Sequence, residues 1–374
     1  IDGLAQAAQQ RAIDLTVVGP EVSLAEGIVD RFQERGLAIF GPTRAAARIE
    51  SSKVFAKELM VKHGIPTGHA AVFDSFDEAC RYVQSQPLPL VVKADGLAAG
   101  KGVTVARTVE EAVRALHECM VERVFGPAGD RVLVEECLVG REVSVFAFTD
   151  GETISPLVAA CDYKRAYDGD AGPNTGGMGS YSSPGLWSEE LQREVERSIM
   201  LPTVRALARE GCPFKGVLYG GLMLTESGPK VVEFNCRLGD PETQVIMPRL
   251  SSDLPETVMA VLEGRLNKTP IEWSSDACVG VVMASGGYPG SYQTGFPLFG
   301  LSQAEECGLV FHAGTRLAGE GEHALVSDGG RVLTVVGKGQ GLRQARARAY
   351  DGIARIHFEG GFYRRDIAAG IESR

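Results

Sequence analysis

With 374 residues and a formal net charge of −10, the chain exceeds one ordinary hydrophobic core, so roughly two to four domains are expected, and its dispersed lysines and arginines argue against nucleic acid as the main partner. A composition 44% hydrophobic and 23% charged is that of a soluble globular protein; no run nears the roughly 18 apolar residues of a membrane span and no secretory signal is visible, which argues against a membrane partner and makes the cytoplasm the expected compartment. The eight cysteines form no C-x-x-C pair and are expected to be reduced packing thiols.

The chain opens on Ile1, directly in helical sequence, so an N-terminal segment is expected to be absent. Residues 1–12 read as a helix end, 13–18 as a buried strand stopping at Gly19-Pro20-Glu21, 24–35 as a helix, and 37–40 as a short strand closed by Gly41-Pro42. This is βαβ material of a parallel sheet. Ser51 and Ser52 cap a helix carrying Val54, Phe55, Leu59 and Met60 that ends at Gly64. Lys53 falls in its first turn, where the helix dipole disfavours a cation by about 0.3–1 kcal/mol unless an anion is near. Residues 1–69 are therefore expected to form a first, Rossmann-like piece with its linker.

From 70 to 137 the pattern is a small α+β unit: a helix at 76–85, strands at 90–93 and 102–106, a helix at 109–120 opened by the capping box Thr108-Val109-Glu110-Glu111, and a strand at 131–136. A larger α/β piece is expected over 138–275, with strands near 142–149 and 152–160, a glycine-rich loop at 168–179, a helix near 188–209, a hairpin at 214–235 and a helix near 252–264. From 276 to 374, short apolar strands at 279–284 and 331–336 with glycine turns, then a helix at 341–357, read as a separate small β-rich domain.

Four stretches carry chemistry. Lys93-Ala94-Asp95-Gly96, continuing to Gly100-Lys101-Gly102-Val103, joins two lysines to three glycines after a buried strand; glycine lets backbone N–H groups approach phosphate oxygens and lysine adds a point charge. It is neither a Walker A loop nor G-x-G-x-x-G, and suits a lid over a nucleotide or a plain flexible hairpin. Glu135-Glu136-Cys137-Leu138, then Gly140-Arg141-Glu142, is a strand exit that can offer backbone groups to an adenine edge and carboxylates to ribose hydroxyls. Asp168 to Gly179, including Asn174-Thr175-Gly176-Gly177 and preceded by Lys164-Arg165, is rich in glycine and hydrogen-bonding groups for a plain connector and suits a holder of a substrate phosphate, ribose or amino acid, or else a long surface loop. In Glu233-Phe234-Asn235-Cys236-Arg237, strand alternation places Glu233, Asn235 and Arg237 on one polar face and Val232, Phe234 and Cys236 in the core. A carboxylate and an amide oxygen are hard ligands suited to Mg²⁺, an arginine can hold charge on a transferring group, and Asp240 and Glu242 stand at the strand exit. The same pattern also suits an amphipathic strand with a solvated face.

Taken together, Pro173–Gly179 and Glu233–Arg237, with Gly19-Pro20-Glu21, Ser52-Lys53, Gly286-Gly287-Tyr288-Pro289-Gly290 and Phe362-Tyr363-Arg364-Arg365-Asp366-Ile367, resemble the phosphoribosylamine–glycine ligase (glycinamide ribonucleotide synthetase) family of the ATP-grasp superfamily over essentially the whole chain. The resemblance implies an α/β and α+β multidomain protein: an ATP-grasp fold with a partial Rossmann-like N-terminal domain and a small β-rich C-terminal domain. It implies ATP with Lys53 and Lys93 on its phosphates, a lid of Gly100, Lys101 and Gly102, with Lys101 assisting catalysis, Glu135, Glu136 and Leu138 at the adenine hinge, and Glu142 on the ribose. It implies Mg²⁺ or Mn²⁺ on Glu233 and Asn235 alone, since the region where many relatives carry a further acid is Gly221-Leu222-Met223. It implies substrate contacts from Lys164, Asp168, Asn174, Thr175, Gly176, Gly177, Asp240 and Glu242, and a catalytic Arg237. The partners so implied are ATP, glycine and phosphoribosylamine, acted on by a monomer in de novo purine synthesis through glycyl phosphate. The Gly-rich opening strand–turn–helix of the family is expected to be the absent N-terminal segment, and Leu238 stands where a phenylalanine is usual. Another ATP-grasp ligase or transformylase of the same pathway, or a nucleotide-binding protein without activity, are the alternatives.

Overall fold

The computed structural model describes residues 1–98, 102–319 and 325–371. The chain divides into two compact units, one built from 1–157, 190–238 and 254–270, the other from 158–189, 239–253 and 271–374. Among the described residues no helix is long and apolar enough to cross a membrane.

In the first unit the expected opening strand shortens to Thr16–Val17, paired in parallel with Ile39–Phe40, and Val17 is 54% exposed rather than buried. Among the described residues these two strands pair only with each other. The expected single helix over 24–35 is two, Glu21–Ala25 and Ile28–Glu34, because Gly27 adopts φ +86°, which breaks the helical path. The helix Lys53–Lys62 forms as expected, with the Ser52 hydroxyl accepting from the N–H of Phe55 at 3.1 Å.

A four-stranded antiparallel sheet follows, ordered Ala70–Phe73, Val132–Glu136, Leu90–Ala94, Val103–Ala106. Helices Phe76–Gln84 and Val109–Met120 are amphipathic, and bury Ala79, Val83, Ala112 and Leu116 with Leu90, Val92, Val132 and Val134 in one core. The capping box is offset by one residue: Thr108 accepts from the Glu111 N–H, but the Glu111 carboxylate reaches back to the N–H of Arg107 at 2.7 Å. Strands Arg141–Asp150, Lys215–Thr225 and Gly228–Asn235 form an antiparallel run, with helices Leu201–Arg209 and Leu254–Leu262 in the same unit.

In the second unit Val158–Asp162, Gly179–Ser182, Ala277–Ala284, Arg331–Gly339 and Leu309–His312 pair successively as antiparallel strands. The first begins at Val158, later than the expected residue 152. Helix Leu342–Ile353 packs on Arg331–Gly339, where Gly337 leaves room for it: a Cβ there would meet the backbone of Ala349 at 2.5 Å. The glycine-rich segment is not wholly irregular, since Arg165–Tyr167 and Ala171–Asn174 pair around a turn at Asp168–Asp170.

Candidate functional site

A cavity of about 230 Å³ in the first unit is walled by the helix Lys53–Lys62 and the strands Leu90–Ala94, Val132–Glu136 and Gly228–Asn235. Lys53 stands at its helix N-terminus, and the anion that the helix dipole requires is present. Asp95 accepts from the Ser52 hydroxyl at 2.9 Å and the Val54 N–H at 3.1 Å, and pairs with Arg131 at 2.6 Å. The Lys53 ammonium donates to the carbonyl of Gly96 at 2.9 Å. Burial pulls its pKa below the usual lysine value, while the Glu233 carboxylate pulls the other way.

Lys93 and Glu135 face each other inside the cavity. The Lys93 ammonium lies 2.8 Å from one Glu135 oxygen and donates to the Val232 carbonyl at 3.1 Å. The other Glu135 oxygen is 3.3 Å from Lys57. The Glu135 carboxylate, expected at a nucleotide hinge, is thus engaged by two buried lysines.

On the strand Gly228–Asn235 the expected alternation is interrupted. Gly221 pairs with Glu233 and Leu222 with Val231, so Val232 is the extra residue of a bulge. The core positions are Val231, Phe234 and Cys236, each at most 2% exposed, whereas Val232, expected in the core, lines the cavity beside Glu233, Asn235 and Arg237. Glycine at 221 explains why no further acid joins them: a Cβ there would already lie 3.3 Å from Cγ of Glu233. Among the described residues no group of three or more His, Cys, Asp or Glu forms a metal cage. The Glu233 carboxylate and Asn235 amide are nonetheless hard oxygen donors in one cavity with no hydrogen-bond partner among the described residues. This set fits a cation that draws its remaining ligands from phosphates and water.

Arg237 is held at three points: its Nε donates to Glu21 at 3.1 Å, one terminal nitrogen pairs with Glu50 at 3.1 Å, and the other donates to the Leu238 carbonyl at 3.1 Å. Burial opposes its charge, but the two carboxylates keep its pKa raised.

The cavity therefore brings together Lys53, Lys93, Gly102, Glu135, Glu233, Asn235 and Arg237. Gly100 and Lys101 lie outside the described residues. Glu136, Leu138 and Glu142 are not part of the cavity wall; Glu136 pairs with Lys230 at 3.1 Å. The remaining expected residues belong to the second unit. There the Lys164 carbonyl accepts from Thr175, the Asp168 carboxylate from the N–H of Arg365 at 2.7 Å, and the Asn174 oxygen from Arg165 at 3.2 Å. The Gly176 N–H donates to the Tyr288 hydroxyl at 2.9 Å, the Gly177 N–H to Thr175, and Asp240 pairs with Arg331 at 2.7 Å. Glu242 is buried. Sequence reasoning misses Glu50, Lys57 and Arg331, all charged groups on otherwise apolar or unremarkable elements; the signal for Lys57 is its place three residues after Val54 and three before Met60, on the buried helix face.

A lysine-bearing antiparallel sheet and a carboxylate–amide strand around one cavity are the layout of an ATP-grasp ligase, a class that uses ATP with a divalent metal ion. Family profiles of phosphoribosylglycinamide synthetase match in three parts: the N domain over residues 1–50, the ATP-grasp (A) domain over 51–243 and the C domain over 278–370. The chain is 51% identical to the phosphoribosylamine–glycine ligase of Halalkalibacterium halodurans over 98% of its own length and 85% of that protein. It is likewise 51% identical to the trifunctional purine biosynthetic protein adenosine-3 of Gallus gallus, over 97% of this chain and 36% of that one. The crystal structure of phosphoribosylamine–glycine ligase from Thermotoga maritima superposes with a TM-score of 0.80 at 36% identity, covering 88% of this chain and 82% of that one. A biotin carboxylase from Campylobacter jejuni shares the fold alone, at TM-score 0.72 and 14% identity over 96% of this chain and 78% of that one. The chain belongs to the phosphoribosylglycinamide synthetase family.

Proposed function

We propose that the enzyme joins glycine to 5-phospho-β-D-ribosylamine with ATP, releasing glycinamide ribonucleotide, ADP and phosphate, as a monomer in the cytoplasm. The observation that carries this reading is the convergence of Lys53, Lys93, Glu233, Asn235 and Arg237 on one cavity in a chain of this family.

A carboxylate is a poor electrophile, so a glycine oxygen first attacks the γ-phosphorus of ATP, breaking its bond to the β-bridging oxygen and giving glycyl phosphate and ADP. Lys53 and Lys93 hold phosphate oxygens, and Lys93 is held by the Val232 carbonyl as well as by Glu135. Mg²⁺ or Mn²⁺ held by Glu233 and Asn235 would neutralise charge on the phosphates. The amine of phosphoribosylamine then attacks the acyl carbon, expels phosphate and loses a proton. Arg237, fixed by Glu21 and Glu50, steadies the negative charge on the acyl phosphate and on its tetrahedral successor. The Asp168–Gly177 segment holds the phosphoribosylamine, and no side-chain nucleophile takes part; the contribution of the protein is positioning and charge. The test is ADP release with glycine and freshly made phosphoribosylamine, each omitted in turn. Release that requires both supports the reading; release with bicarbonate or formate in place of glycine overturns it.

A further inference from the structure

Lys57 has no task in the reaction just described, yet it is one of the most confined charges in the chain. It is 4% exposed, one turn beyond Lys53 on the helix Lys53–Lys62, and a lysine is almost never fully buried without partners. Its ammonium donates to the Thr67 hydroxyl at 2.7 Å and the Gly68 carbonyl at 3.0 Å, and lies 3.3 Å from Oε1 of Glu135. Three acceptors for three N–H groups is the environment of an ammonium, which has no lone pair to place. Burial pulls its pKa down and Glu135 opposes this.

Two consequences follow for the cavity. First, Glu135 divides one negative charge between two cations, with Lys93 at 2.8 Å on Oε2. The group of three carries a net positive charge toward the cavity, and Lys93, which spends its other described contact on the Val232 carbonyl, keeps an N–H for a phosphate oxygen. Without Lys57, Lys93 and Glu135 would form a neutral pair with little attraction for phosphate. Second, the Thr67 hydroxyl that accepts from Lys57 donates onward to the Val231 carbonyl at 2.9 Å, and the Val231 N–H bonds Pro66 at 2.8 Å. Lys57 is thereby tied to the strand that carries Glu233 and Asn235.

We propose that Lys57 is a positioning residue for the nucleotide phosphates: by sharing Glu135 with Lys93 it keeps a net cation facing the cavity, and through Thr67 it holds the Glu233–Asn235 strand in register with that cation. This rests on the reading of the cavity as the nucleotide site, and the experiment separates the two. Calorimetry measures ADP and adenosine affinities for the wild type, Lys57→Met, Thr67→Val, Lys93→Met and the double variant Lys57→Met/Glu135→Gln, with Glu135→Gln as the reference for the double. Lys57→Met weakens ADP by about tenfold, the effect of removing one nearby charge at a partly screened site, and changes adenosine by less than about twofold on the same ground. Adding Glu135→Gln removes the unbalanced carboxylate and restores most of the lost ADP affinity. Thr67→Val, which keeps both lysines but cuts the tie from Lys57 to the Val231 carbonyl, weakens ADP severalfold with adenosine little changed, and this arm decides the matter if Lys57→Met does not fold. The proposal is overturned if Lys57→Met weakens ADP and adenosine alike, if the double variant gains nothing over the single one, or if Thr67→Val leaves ADP unchanged. Unchanged ADP binding in Lys93→Met sinks the nucleotide reading itself and this proposal with it, whereas loss in Lys93→Met with none in Lys57→Met sinks only the role of Lys57.

Discussion

The Arg237 guanidinium lies 3.1 Å from the Glu50 carboxylate, and the same carboxylate accepts from the backbone N–H of Cys236 at 2.7 Å. One buried acid, 9% exposed near the end of the helix Arg44–Ser51, therefore fixes both the course of the chain and the direction of the side chain at the exit of the Glu233–Asn235 strand. A flexible arginine becomes a preorganised charge by this means, and preorganisation is what a site that works by electrostatics needs.

Glu50→Gln keeps an acceptor for Cys236 but loses the ion pair, so kcat is expected to fall about tenfold or more through lost orientation of Arg237. Its pH signature has a definite sign. Burial raises the Glu50 pKa above its ordinary 4.5, against the opposing pull of Arg237 and the Cys236 N–H, so the folded protein binds the proton more readily than the unfolded chain. That stabilisation is fully present below the unfolded value and is lost as pH rises through the folded one. In thermal melts from pH 8 down to about 4.5, the wild type should gain on Glu50→Gln; a gap moving the other way means that Arg237, not burial, governs Glu50.

Glu233→Gln tests the metal acid. Glu233 is exposed on the cavity wall and has no hydrogen-bond partner among the described residues. Its substitution should leave the melting curve within the roughly 0.5 kcal/mol usual for surface changes, while ADP release falls at least about a hundredfold, the scale of losing one charge-stabilising group. Retained turnover at saturating Mg²⁺ contradicts the assignment.

How much of this arrangement can be read from the chain depends on whether the determining contact is local. Lys53, Lys93 and the Glu233-x-Asn235-x-Arg237 set are legible, because a lysine after a helix cap or buried strand and a polar alternation on a strand are each written in a few neighbouring residues. The slip at Val232 is not, since it depends on which residue of Lys215–Thr225 stands opposite, and Gly221 offers no side chain to pair with. Lys57 is harder to read: its place on an apolar helix face is a hint, but a lysine there commonly extends its stem outward, and the carboxylate brought by the Val132–Glu136 strand is what holds it inside. Gly27 likewise reads as a tolerated helix residue until its φ of +86° ends the helix. The clasp on the glycine-rich segment comes from Arg331 and Arg364, more than a hundred residues along the chain, which no periodicity can connect.

Gly177→Ala tests that segment. Gly177 adopts φ +111°, and a Cβ there would run into the ring of Pro241, while Arg331 holds the neighbouring Gly176 carbonyl at 2.7 Å. Both the backbone strain, about 1–3 kcal/mol, and the clash push the turn outward. The expected result is a lowered melting temperature and a KM for phosphoribosylamine raised about tenfold with the KM for ATP little changed. Equal rises in both would mean that the segment does not hold the amine substrate.

Asp366→Asn asks whether the anchor of this segment is electrostatic. Arg364, 1% exposed, places Nε and one terminal nitrogen on the two Asp366 oxygens at 2.7 and 2.6 Å and its other nitrogen on Asp170 at 2.9 Å, and Asp366 also accepts from the Gly169 N–H at 2.9 Å. Burial works against the Asp366 charge, but Arg364 and that N–H overcome it and hold the pKa near about 2, below the ordinary 3.8. The folded state thus binds the proton less readily than the unfolded one, so the stabilisation is present above 3.8 and is lost as pH falls toward about 2. The variant leaves a buried guanidinium with half its compensation, a loss of roughly 2 kcal/mol at pH 7 once the partial exposure of Asp366 is allowed for. The melting difference between wild type and variant should be constant from pH 7 to about 5 and should shrink as pH falls below about 4. A difference that persists unchanged at pH 3 would show that Asp366 acts by shape, and that the anchor owes nothing to its charge.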